Sequence, residues 1–114
     1  MRIKKARRIL KGLADDTRLR TINLLHKRGL NVGELGRILG VSQSNLSKHL
    51  AKLRLTGIVS DKRKGANVYY YLRKPDNRAQ EELIKAITLG FSEIEIFKKD
   101  LAALKKVLKK GGKA

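Results

Sequence analysis

Apolar residues recur at helical spacing along most of the chain, and the period changes only between residues 58 and 72. Ile3, Ala6, Ile9, Leu10 and Leu13 mark one side of a first helix whose other positions are largely basic. Gly12 and the Asp15-Asp16 pair interrupt it. Asp15 is placed to cap a second helix, which Leu19, Ile22, Leu24 and Leu25 carry towards Gly29. Asn31 and Glu34 have the spacing of a capping box, and Val32, Leu35, Ile38 and Leu39 give the helix they start one apolar face. Gly40 is placed to close that helix in a left-handed conformation, and Ser42 to cap the next. On this fourth helix Leu46, Leu50 and Leu53 share one side. The opposite side shows Gln43, Ser44, Ser47, Lys48 and Arg54, with no bulky apolar residue to bury.

From Ile58 the pattern alternates instead. Val68, Tyr70 and Leu72 face one way and Tyr69 and Tyr71 the other, with a turn at Gly65, Ala66 and Asn67, which predicts a two-stranded hairpin with Lys62, Arg63 and Lys64 at its tip. Tyr70 is expected in the core. Pro75 and Asp76 end the sheet, and Asn77 with Gln80 caps a terminal helix expected over residues 76–110. Its seam of Leu83, Ile87, Gly90, Ile94, Phe97, Leu101, Leu104 and Leu108 is longer than a small domain covers alone. The simplest cover is the same helix of a second copy, packed with the first helix in a two-fold dimer; a helix folded back on its own domain is the alternative. The candidate dimer contacts are Ile3, Ile9, Leu10, Ile87, Ile94, Phe97, Leu101 and Leu104. Residues 111–114 are expected to fray.

These elements predict a single domain over residues 1–114, mainly α with a small β-hairpin: an amino-terminal dimerisation helix (1–12), a core (13–73) and a carboxy-terminal dimerisation helix (76–110). The third and fourth helices form a helix-turn-helix. The polar side of the fourth suits a recognition helix in a DNA major groove, where amides and hydroxyls meet base edges and cations meet guanine or phosphate. Gln43, Ser44, Ser47 and Lys48 are the base-edge candidates, and Asn45 and His49 lie at the margin, where phosphate is the nearer target. The basic hairpin directly after it becomes a wing.

Charge sharpens the picture. With 28 Lys and Arg against 10 Asp and Glu, the formal net charge is +18, which points to a polyanionic partner. No stretch has the unbroken apolar length of a membrane span and the first residues lack a signal-peptide core, so a cytoplasmic location is expected. There is no cysteine, and His26 and His49 fall on separate helices, so no metal site and no cofactor is expected. An enzyme is disfavoured because no nucleophile-base pair or phosphate-cradling glycine loop is present. A nucleoid-type architectural protein of low sequence specificity is the alternative to a sequence-specific regulator.

The run LADDTRLRTINLL, followed by ELGRILGVSQSNLSKHLAKLRLTGIVSDKRKGANVYYYL, resembles the winged helix-turn-helix repressors of the ArsR/SmtB family over residues 13–72. The resemblance implies a homodimer through the first and last helices and DNA reading by residues 42–52, bringing in Lys52. It also implies a wing over residues 61–68, bringing in Asn67, and repression of a palindromic double-stranded operator relieved by an inducer. The metal-sensing members carry a Cys-x-Cys box before the recognition helix; Asn31 and Gly33 stand there in this chain. The terminal helix has no histidine for the family's second metal site. Sensing through cysteine is thereby excluded, and the inducer is left unknown.

Overall fold

The computed structural model describes residues 1–111; of the fraying expected over residues 111–114, Gly111 is instead the last residue of the final helix and the rest lies outside the described residues. The chain runs α1 (Ile3–Leu13), α2 (Asp16–Leu25), β1 (Leu30–Asn31), α3 (Val32–Leu39), α4 (Gln43–Leu55), β2 (Val59–Lys64), β3 (Asn67–Leu72), α5 (Arg78–Thr88) and α6 (Glu95–Gly111). Side-chain caps set several helix starts. The Asp15 carboxylate accepts the Arg18 N–H at 3.0 Å, the Ser42 hydroxyl that of Asn45 at 3.3 Å and the Asn77 amide oxygen that of Gln80 at 2.9 Å. At α3 the capping box is complete: Asn31 Oδ1 accepts from Glu34 N–H at 2.8 Å, and Glu34 Oε1 accepts from Asn31 N–H at 2.9 Å. Asn31→Ala is expected to destabilise the protein by about 1 kcal/mol in urea unfolding without altering the fold.

The core is built from α2, α3 and α4. Ile22, Leu24, Leu35, Leu46 and Leu53 are fully buried, with Leu30 from β1 and Ile58 from just before β2 closing it below. Gly40 follows α3 with φ 68°, and its N–H donates to the Gly36 carbonyl at 2.9 Å, so the chain reverses in one residue and Ser42 starts α4 directly.

Three expectations are corrected: the two-stranded hairpin, its turn and the continuous terminal helix. The hairpin is one side of a three-stranded antiparallel sheet of order β1-β3-β2, because β1 pairs with β3 through Leu30 opposite Tyr70 and Asn31 opposite Tyr69. Within the hairpin Lys64 pairs with Asn67, so the loop is Gly65 and Ala66, and Gly65 takes φ 60° as the first residue of a II′ turn requires. Tyr70 is half-buried and packs against the core.

The expected continuous terminal helix is in fact two, broken across residues 89–94. Helix α6 folds back onto α2 and α3. Arg20 donates to both Asp100 oxygens at 2.8 and 2.9 Å, and Asn23 Nδ2 donates to the Phe97 carbonyl at 3.4 Å. The apolar seam requires only an apolar surface to cover it, and the chain's own α2 and α3 provide one once it has turned back. Of the candidate dimer contacts, Ile9, Ile87, Phe97 and Leu104 are therefore buried within the chain and Leu101 is partly covered. Ile3, Leu10 and Ile94 stay open, at 84%, 55% and 44% exposure.

Candidate nucleic-acid interface

Helix α4 is anchored through Leu46, Leu50 and Leu53, which are at most 1% exposed, and this fixes which side faces outward. Gln43, Ser44, Asn45, Ser47, Lys48 and Lys52 are all exposed. They lie off the buried leucine stripe, so amide, hydroxyl and ammonium groups share the accessible side of the helix. His49 is different. Its ring is turned to the start of α2, with Nδ1 3.2 Å from Arg18 Nη1 and 3.5 Å from Asp15 Oδ2. It is thus a contact between α4 and the start of α2, a role its position in the sequence did not reveal.

Asp15 sits at that junction. Burial pushes its pKa up, but the backbone N–H groups of Arg18 and Thr17 and the charges of His49 and Arg18 outweigh burial and hold it below its ordinary value. A carboxylate depressed in the folded state contributes stability above its unfolded pKa of about 4, and that contribution is lost as pH falls through the folded value. Urea unfolding of wild type and Asp15→Asn should therefore differ at neutral pH and converge on acidification.

The wing lies beside α4. Arg54 near the end of α4 pairs with Asp61 on β2 at 3.3 Å, joining the helix to the base of the hairpin. Lys62, Arg63 and Lys64 are exposed on β2, Asn67 is exposed across the turn, and Lys64 Nζ lies 5.8 Å from the centroid of the Tyr69 ring. Burial, then the neighbouring Asp61 carboxylate, raises the Tyr70 pKa, so its phenol stays neutral. A cleft of about 500 Å³ separates the wing turn from α3 and is lined by Arg37, Gln43, Asn67 and the edges of Gly33 and Gly36. Arg37 was not singled out from sequence. The signal available was its place on the polar side of the first helix of the helix-turn-helix, one turn beyond Gly33.

A model described as "Bacterial regulatory protein, arsR family" matches residues 15–61, from the cap of α2 to the first half of β2. The transcriptional activator HlyU of Vibrio cholerae is 40% identical over 80 residues, spanning 70% of this chain and 74% of that protein. The chain belongs to the ArsR family.

Other comparisons place this ArsR-family chain in the same way. The arsenic resistance transcriptional regulator ArsR1 of Pseudomonas putida is 42% identical over 80 residues, and the match spans 69% of this chain but only 62% of that protein. Reduced HlyU from Vibrio cholerae superposes with a TM-score of 0.66 at 34% identity, over 81% of this chain and 90% of that one. The homodimeric winged helix-turn-helix DNA-binding domain Mb0332 of Mycobacterium bovis superposes with a TM-score of 0.64 at 25% identity, over 77% and 76%. The architecture is accordingly a winged helix-turn-helix: α3 and α4 are its helix pair, and β2 and β3 its wing.

Proposed function

We propose that this ArsR-family protein is a sequence-specific, double-stranded DNA-binding transcriptional regulator that acts as a homodimeric repressor in the cytoplasm. The observation that carries the reading is the exposed polar side of α4, held outward by three buried leucines and flanked by the wing cations. Two copies of α4 would enter successive major grooves of a palindromic operator, with half-sites about one helical turn apart. Gln43, Ser44, Ser47 and Lys48 read base edges. Asn45, Lys52, Lys62, Arg63, Lys64 and Asn67 hold the backbone, joined by Arg37 in the cleft between wing and helix. His49 acts indirectly, by setting how α4 sits against α2.

Dimerisation falls to the apolar residues that the fold leaves open, Ile3 and Leu10 on α1 and Ile94 before α6, and the homodimeric state of the Mycobacterium bovis domain supports it. No helix among the described residues is long and apolar enough to cross a membrane. With no cysteine in the chain, induction would use chemistry other than a thiolate. DNA coating without sequence preference is not favoured, because the relatives are named as transcriptional regulators.

Selection from random duplexes tests the reading directly: a palindromic consensus is expected, and recovery of none would overturn it. Gln43→Ala or Ser47→Ala should then cost about 1–3 kcal/mol on that consensus and little on random DNA.

A further inference from the structure

Away from the wing, a second cleft of about 510 Å³ opens where α1, the start of α2 and the end of α4 meet. Arg8, Lys11, Arg18 and Lys52 line it, and the nearby carboxylate, Asp15, is not part of the lining but is held by the Arg18 N–H at the start of α2. Its apolar part comes from Leu55, 75% exposed, and from Thr56, whose hydroxyl is spent on the Leu53 carbonyl and the Ile58 N–H. Gly12 allows the close approach that forms the cleft, since a Cβ there would collide with the Thr56 methyl.

Arg18 makes this more than a basic patch. It is only 8% exposed, one of its Nη atoms meets His49, and its Nε is buried with no hydrogen-bond partner. Among the described residues it is the only buried side-chain nitrogen or oxygen left so. A buried guanidinium donor without an acceptor is costly, and three further cations on the same walls raise that cost. A carboxylate or phosphate in the cleft offsets the charge of the cluster and matches the guanidinium fork, and since Nε is closed to solvent the side chains around it must open for an oxygen to reach it. The volume falls in the range of small-ligand sites.

We propose that this cleft binds a small organic anion, a carboxylate or phosphate monoester on an apolar body, with Arg18 as anchor, Arg8, Lys11 and Lys52 as surrounding charge and Leu55 against the apolar part. The anion acts as an effector, because the guanidinium that grips it also touches His49 on α4. Only this last step rests on the DNA-binding role proposed above; binding itself does not.

Phenyl phosphate and benzoate are the probes, titrated without DNA onto the full chain by calorimetry and by amide and side-chain NMR, with inorganic phosphate and benzyl alcohol for comparison. Saturable binding is expected, with the largest shifts at Arg18, His49 and Thr56, weaker binding of inorganic phosphate and none of the neutral alcohol. Because Arg18 is buried, its own replacement risks unfolding, and the exposed pair Arg8→Gln/Lys11→Gln carries the test with an expected loss of tenfold or more in affinity. Shifts spread evenly over the surface lysines, or an unchanged affinity in the double variant, would overturn the site. So would a cleft that ignores both probes and responds only to a duplex, which would make it a contact for the DNA backbone. In the second arm, saturating phenyl phosphate should change operator affinity at least threefold, with operator DNA changing phenyl phosphate affinity by the same factor. Binding without that coupling overturns the effector role alone, and an absent operator overturns the regulator reading while leaving the DNA-free titration to stand.

Discussion

Arg20→Ala is expected to destabilise the protein by about 3–5 kcal/mol, the cost of leaving a buried charge without its partner. Asp100 is 2% exposed and receives two parallel N–H donors from Arg20 at 2.8 and 2.9 Å. This pair joins α2, which carries the start of the DNA-binding core, to α6, which covers it. Without the guanidinium the carboxylate must either stay buried and unpaired or pull α6 away from α2 and α3. Both outcomes are visible: the urea midpoint falls, and amide exchange quickens in α6 before it quickens in α4. Replacing both partners with apolar residues of similar volume, Arg20→Met with Asp100→Leu, should recover most of the loss, because no charge is then stranded. A small effect of Arg20→Ala, or equal exchange in α4 and α6, would mean that the pair does not hold the terminal helix in place.

That pair also shows where the sequence stopped being legible. Its members stand 80 residues apart, and nothing local to either announces the other. The helix-turn-helix was legible because each of its boundaries has a cause within a few residues: Asn31 and Glu34 cap each other, Gly40 takes a positive φ, and Ser42 starts the next helix. Strand β1 was not, because two residues show no alternation and their strand character comes entirely from Tyr69 and Tyr70 across the sheet. The break across residues 89–94 was hidden differently. Leu83, Ile87 and Ile94 keep helical spacing through it, so periodicity alone carries a helix straight across, and Gly90 was the only local sign. The same limit applies to the interface. The exposed side of α4 follows from its leucines, whereas the inward turn of His49 depends on Asp15 and Arg18, and the cleft beside Arg37 depends on where the wing lies.

Replacing Lys62, Arg63 and Lys64 together by glutamine should flatten the salt dependence of DNA binding more than any change on α4. Each cation that neutralises a phosphate releases counterions and steepens the log–log salt slope by about 0.9, so six wing cations in a dimer account for a change of about 5 if all reach the backbone. The geometry favours contact. All three are exposed, the two-residue turn at Gly65 and Ala66 keeps the tip narrow, and the Arg54–Asp61 pair ties its base to the recognition helix. Lys64 is already restrained over Tyr69, so it loses less side-chain freedom on binding than a free lysine would. Because phosphate contacts carry no sequence information, the variant should lose affinity on operator and random duplex alike, with the preference between them nearly unchanged. Gln43→Ala should do the reverse, eroding the preference and leaving the slope alone. Fluorescence anisotropy on both duplexes across a salt series separates the two effects. A wing variant with an unaltered slope would place the hairpin off the DNA, and the basic residues of α1 would then be the next place to look for the charge that holds the duplex.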